Sequence, residues 1–234
     1  MILALNTSTL QFGLALLEED GTIRGELLMS KGRRHFGGLM PSLHFLLTTS
    51  GSDIGEIHCL VVAVGPGSFT GLRVGLSAAK GLCHALKVPI IGVSSLEAMA
   101  SQLPYSDHPT APILGSRKGE VFIAQFIWGD NHSLIRIRED TSLKFEDLAS
   151  HCERPTLFIG NDFASQGPII KKMLGPDGLL APPHLWNIKS SAVGFLGLKR
   201  FQAHDFDDPQ SLNPLYLRPP DIRPSSLQLR ANNG

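Results

Sequence analysis

Apolar positions at the start of the chain change period in a way that marks out successive elements. Residues 2–6 and 12–17 are short apolar runs joined across Thr7-Ser8-Thr9, and 22–29 follows the polar turn Glu18-Glu19-Asp20-Gly21, so three strands are predicted in a row. Phe36, Leu39, Met40, Leu43, Leu46 and Leu47 then recur at helical spacing as far as Gly51, predicting a helix over 36–50. Pro41 within it implies a kink or a start nearer Met40, because proline has no N–H for the preceding turn. Residues 57–64 are apolar without a break, as in a strand covered on both faces. Ser68 is placed to cap a long helix to Lys87, 89–93 is a second buried strand, and Ser94 with Glu97 has the spacing of a capping box. Strands joined by tight turns pair antiparallel, while those separated by helices need crossovers and pair parallel.

The stretch 103–112, rich in proline and polar residues, marks a boundary, after which the order returns. Residues 112–114, 120–128 and 133–138 read as strands, 145–152 as a helix, 156–159 as a strand, 163–174 as a helix with Pro168 near its start, 179–181 as a short strand and 190–201 as a helix. No sequence repeat accompanies this recurrence. Two successive units of three strands followed by alternating helices and strands describe an α/β, duplicated ribonuclease-H-like fold of the actin, hexokinase and Hsp70 type, two-lobed with mixed sheets. The lobes are expected at 1–104 and 105–218, with the last helix, near 190–202, able to pack back on the first lobe. Residues 219–234, polar and proline-rich without periodicity, read as a flexible tail.

Charge narrows the partners. Among 234 residues, 21 basic and 21 acidic side chains cancel, so no global field attracts nucleic acid or anionic lipid. Lys31, Arg33 and Arg34 with Arg24, and Arg218, Arg223 and Arg230 near the end, are small basic groups that read first as solubilising charge. Cys59, Cys83 and Cys152 lie far apart and read as buried small apolar residues of a reducing compartment. The first residues lack the basic flank of a signal peptide, and the apolar run 59–64 is too short to span a bilayer, so no membrane association and a cytoplasmic location are expected.

The most informative stretch is Gly65-Pro66-Gly67-Ser68-Phe69-Thr70-Gly71-Leu72-Arg73-Val74-Gly75. It joins a buried strand to a helix, where phosphate cradles occur, yet it lacks the Gly-Lys-Ser/Thr of one phosphate-binding pattern and the third glycine of the other. Packing accounts for more of it. On a helical wheel Gly71, Gly75, Ala78, Leu82 and Ala85 share a stripe, Leu72, Leu76, Ala79 and Cys83 lie beside it, and Arg73, Lys80, His84 and Lys87 fall opposite. Helical glycines cost about 1 kcal/mol each relative to alanine. Close approach of another backbone offsets that cost, either the chain's own sheet or, since the apolar arc is wide, a second subunit.

Residues 1–9 (Met-Ile-Leu-Ala-Leu-Asn-Thr-Ser-Thr), the glycine-rich string 65–75, Ile91-Gly-Val-Ser-Ser-Leu96, Arg117-Lys-Gly-Glu-Val121 and Pro214-Leu-Tyr-Leu-Arg218 together resemble the bacterial TsaB (YeaZ) family. The resemblance spans nearly the whole chain. It implies a non-catalytic role in attaching threonylcarbamoyl to N6 of adenosine 37 in tRNAs that read ANN codons. It implies TsaD as heterodimer partner, TsaE as a further partner, a homodimer when isolated, and contact with tRNA only through the complex. Pairing through helices of the first lobe places Leu39, Leu43, Gly71, Leu72, Gly75, Leu76 and Ala79 at the expected interface core, with Arg73 and Lys80 at its rim. The family-motif turns carry Asn6, Thr7, Ser8, Gly65, Gly67, Ser68, Arg117 and Glu120.

No cofactor or metal of its own is expected, ATP or ADP and metal belonging to the partner subunits. Nucleotide-hydrolysing proteins of this architecture hold Mg²⁺ through carboxylates in the two hairpin turns facing the cleft. Here Asn6 stands where the family usually has Asp, and Gly115-Ser116-Arg117 where many relatives have Asp-Ala-Arg. No two of the nine histidines are three or four apart, so a helical metal pair is excluded. The rival readings are an actin-like ATPase or phosphotransferase, and a glycoprotease-like peptidase. No serine or cysteine sits in a nucleophile motif, and Glu120 reads as a strand-start residue.

Overall fold

The uninterrupted apolar runs become the centres of two sheets. In a computed structural model, which describes residues 1–30, 35–117, 119–130 and 133–218, the first sheet contains β1 (Ile2–Asn6), β2 (Phe12–Leu17), β3 (Ile23–Met29), β4 (Cys59–Gly65) and β5 (Ile90–Ser94). Its spatial order is β3-β2-β1-β4-β5, antiparallel on the hairpin side and parallel across β1, β4 and β5. The second sheet contains β6 (Thr110–Gly115), β7 (Glu120–Trp128), β8 (Leu134–Lys144), β9 (Thr156–Gly160) and β10 (Gly178–Leu180), ordered β8-β7-β6-β9-β10. The two sheets thus share one topology, an architecture of two mixed five-stranded sheets.

Helices fill the faces. α1 (Leu39–Ser50) and α2 (Phe69–Leu86) cover one side of the first sheet. There Leu39, Leu43, Leu46, Leu47, Leu76, Ala79 and Cys83 meet Leu3, Leu5, Leu14, Leu16, Leu60 and Val62. α1 begins beside Met40, with Pro41 in its first turn where no N–H is needed. α2 is capped by Ser68, whose Oγ accepts the Gly71 N–H, and ends at Lys87 with φ of 57°. α3 (Ser95–Ala100) and α6 (Ser190–Gln202) line the opposite face, α4 (Leu148–His151) and α5 (Phe163–Leu174) belong to the second sheet, and α6 packs on β1, β2, β4 and β5. Gly194 and Gly197 of α6 allow this, lying against Leu17 and Val61 where a Cβ would collide. One apolar cluster therefore runs from Ala4 and Val61 through Met99 to Phe126 and Trp186, joining both lobes.

Differences from expectation are local. β8 runs on to Lys144 because its hairpin pairing with β7 extends past Arg138. The expected helix over 145–152 is a 3-10 turn followed by the short α4. Ser94 caps α3 through the Glu97 N–H, but Glu97 pairs with Arg136. Lys31, Arg33, Arg34, Arg223, Arg230 and the tail 219–234 lie outside the described residues.

Candidate functional site

Two regions collect the residues singled out in the sequence: the cleft where the hairpin turns meet, and the outer face of α1 and α2. In the cleft, the β1–β2 turn is tied to the glycine-rich string bond by bond. The Ser68 N–H donates to the Ser8 carbonyl at 2.7 Å, and Thr7 Oγ1 donates to the Gly71 carbonyl at 2.8 Å. A Cβ at Gly67 would overlap the Ser8 carbonyl, and one at Gly75 would overlap Thr7 Oγ1. Gly65 has φ of 122°, a conformation costly for any other residue. The string is a socket for the chain's own first turn, and the Ser68 N–H that a phosphate would use is already taken.

Asn6 is 1% exposed, and its amide orientation follows from its partners. Its Oδ1 accepts from the Ser8 N–H at 3.1 Å and from Ser8 Oγ at 2.7 Å, so its Nδ2 faces, and donates to, the Ile188 carbonyl at 3.3 Å. A carboxylate here would set oxygen against oxygen. Across the cleft the Gly115 N–H donates to Asn161 Oδ1, which also accepts from Gln166 Nε2. Asp162 caps α5 through the Ser165 N–H and hydroxyl. Glu120 is ion-paired with Arg218, whose hydrogen bond holds the Glu120 carboxyl below its ordinary range. The cavity between these walls, about 520 Å³, is lined by Ser8, Ser68, Gly115, Arg117, Glu120 and Asp162 among others. The turn positions, where Mg²⁺ would need carboxylates, carry Asn6 and Gly115, and the two carboxylates that line the cavity serve a helix cap and an ion pair. This donor set does not fit a Mg²⁺–nucleotide. Among the described residues no three His, Cys, Asp or Glu side chains are grouped as metal ligands.

The cysteines are not poised as nucleophiles. All three cysteines are buried and free, and burial pushes the Cys59 and Cys152 thiols up to about 12. A thiol so shifted is almost never the reactive thiolate at neutral pH.

On the helical face the structure corrects the expected interface core. Leu39, Leu43, Gly71, Leu72, Gly75, Leu76 and Ala79 are all buried within the chain itself. The leucines and Ala79 take the sheet side, and the first turn draws Gly71 and Gly75 inward with them. Arg73 and Lys80 remain at the surface, exposed and half-exposed. Arg73 Nε donates to the Tyr216 hydroxyl at 2.9 Å with its guanidinium over Phe69. What remains outward is different: Met40, 48% exposed, and Phe45, 58% exposed, on α1, with half-buried Val74, Ala78 and Leu82 and exposed Gly81 and Ala85 on α2. The arc was indeed wider than one contact, but the sheet took the half assigned to a partner.

Sequence reasoning missed two tethers. Gln102 holds the loop before α6, donating to the Leu185 and Asn187 carbonyls and accepting the Lys189 N–H. Tyr216 and Arg218 fasten the segment after α6, for which the run 214–218 was the available signal.

A family model described as TsaD, tRNA N6-adenosine threonylcarbamoyltransferase, matches residues 29–206. The tRNA threonylcarbamoyladenosine biosynthesis protein TsaB of Bacillus subtilis is 34% identical over 220 residues, 93% of each chain. Among solved structures, YeaZ from Pseudomonas aeruginosa superposes with a TM-score of 0.76 at 22% identity, covering 92% of this chain and 99% of that one. The activator of 2-hydroxyisocaproyl-CoA dehydratase from Clostridium difficile, solved with ADPNP, shares the fold more distantly, with a TM-score of 0.50 at 12% identity over 87% of this chain and 97% of that one.

Proposed function

The chain belongs to the TsaB family of tRNA threonylcarbamoyladenosine biosynthesis proteins, and from that premise we propose that it acts as a non-catalytic, dimerising partner of the transferase TsaD. The observation that carries this reading is the strip of small and apolar residues left outward on α1 and α2 after the sheet has been covered: Met40, Phe45, Ala78, Gly81, Leu82 and Ala85. Small residues on a helix let another helix approach closely, and a contact of standard size buries about 1,600 Å² in total. Two helices from each protein would then form a four-helix contact. Its effect on TsaD is to favour the arrangement in which the transferase site is competent. TsaE joins the pair, the isolated chain pairs with itself through the same strip, and tRNA is met through the complex. Nucleotide and metal sit on the partner subunits, and the complex works in the cytoplasm on adenosine 37 of tRNAs that read ANN codons. A single core running through both lobes supports a rigid scaffold over an enzyme that closes around its substrate.

The test uses positions whose change spares the fold. A Cβ at Gly81 meets nothing within 4 Å, so Gly81→Arg thickens and charges the strip while the chain still folds. Phe45→Asp does the same on α1. Each variant is expected to keep its melting temperature and to lose at least tenfold in affinity for purified TsaD, with a matching fall in threonylcarbamoyladenosine measured by mass spectrometry of tRNA. Wild-type binding by both variants would refute the interface. Mg²⁺-ATP turnover by the chain alone would instead favour the ATPase reading.

A further inference from the structure

The described chain continues past α6 without regular structure, yet it is fastened at nearly every step. Close to α6, Arg200 donates to Asp205 at 2.6 Å and to Asp207 at 3.1 Å. The Asp207 carboxylate accepts the Gly92 N–H at 2.7 Å, and the Asp207 N–H reaches the Ile90 carbonyl at 3.0 Å. These bonds cover the outer edge of β5. Leu212 then lies over Gly92, where a side chain would exclude it. Further on, the Leu215 N–H donates to the Val64 carbonyl at 2.7 Å, and Tyr216 packs on Phe69 at 5.1 Å between centroids. The last link leaves the first lobe altogether: Arg218 pairs with Glu120, at the start of β7 on the wall of the cleft.

Root and tip are held differently. The root, 205–208, has several charge-assisted bonds within one lobe, and these hydrogen bonds pull the Asp205 carboxyl down and push Arg200 up. The tip, 212–218, has two backbone bonds, Leu212 to the Asp208 carbonyl and Leu215 to the Val64 carbonyl, the Leu212 side chain over Gly92, Tyr216 held by Arg73 and Phe69 on a partly exposed surface, and one ion pair, which is its link to the other lobe.

We propose that residues 205–218 form a strap with a fixed root and a releasable tip, and that Glu120 on the cleft wall decides whether the tip is seated. A cationic group in the cleft that takes Glu120 from Arg218 frees Leu215 and Tyr216 and uncovers Val64, Phe69 and Arg73 at the start of α2. Cleft contents and the exposed end of α2 are thereby linked through one ion pair. The inference stands whether or not TsaD is the partner.

Hydrogen exchange of the full chain, followed by mass spectrometry, tests it with Glu120→Gln, Arg218→Gln and the exchanged pair Glu120→Arg with Arg218→Glu. Loss of a half-buried ion pair is expected to speed exchange of the tip amides, Leu215 foremost, about three- to fivefold. Residues 205–208 and Gly92 should stay at their wild-type rates, and the exchanged pair should restore the tip. An unchanged tip in either single variant would overturn the proposal. So would root and tip loosening together, or a faster β1, which would make the pair a support of the whole fold.

Discussion

Gly75 gives the sharpest test of how the glycine-rich string works. A methyl group there would overlap Thr7 Oγ1 and press on Thr7 Cβ and Cγ2 at 3.2 and 3.3 Å. Thr7 is fully buried and bonded to the Gly71 carbonyl, so it has nowhere to retreat without breaking that bond. Losing the hydrogen bond costs about 1 kcal/mol, and overpacking a tight site costs about 2 kcal/mol. Alanine returns about 1 kcal/mol through its better helix propensity. Gly75→Ala should therefore destabilise by about 2 kcal/mol, lowering the melting temperature of a chain this size by roughly 4–8 °C. Gly81→Ala, on the same helix in open space, should show the propensity gain alone and melt roughly 2–4 °C higher. The decisive measurement is the double variant with Thr7→Ala, which removes the obstructing atoms: Gly75→Ala should cost far less in that background. Thermal and urea unfolding of the four proteins complete the cycle. A Gly75→Ala protein as stable as wild type, or a penalty that persists without the threonine side chain, would refute the reasoning.

Asn6→Asp should cost about 2 kcal/mol in urea unfolding, since a buried carboxylate oxygen would replace the donor facing the Ile188 carbonyl. Added Mg²⁺ should not recover that loss; a selective gain in Mg²⁺ would reveal a metal site the donor set argues against. Labelling of thiols at pH 8 should be slower than for an exposed cysteine by roughly three orders of magnitude at Cys59 and Cys152, whose pKa values near 12 keep them protonated. All three should react once the chain is denatured, and rapid labelling of either in the native protein would contradict their burial.

Much of the architecture could be read from local pattern because each signal was short-range. The unbroken apolar runs of β1, β4 and β5 are buried on both faces, and Ser68 caps α2 three residues from the amide it accepts. The Asn6 substitution was visible too, although its reason was not: the partner carbonyl belongs to Ile188, far along the chain. The inward face of α2 failed for the same cause. Its apolar arc exceeds half the helix, and periodicity cannot say which part the sheet takes. That choice is made by Thr7, a contact with no trace in local spacing. The strap was hidden because irregular chain has no period, and only its bonds to Val64, Gly92 and Glu120 give it a path.

The placement of α6 has a bearing on how the molecule is made. During synthesis the first sheet emerges early, with Ala4, Leu17 and Val61 waiting bare for a helix that leaves the ribosome only after the whole second sheet. A fragment ending at the boundary near residue 104 would present that greasy surface to its neighbours, so the halves are not separable modules. Assembly of this chain is a closing of the circle, in which a helix translated after both sheets seals the first.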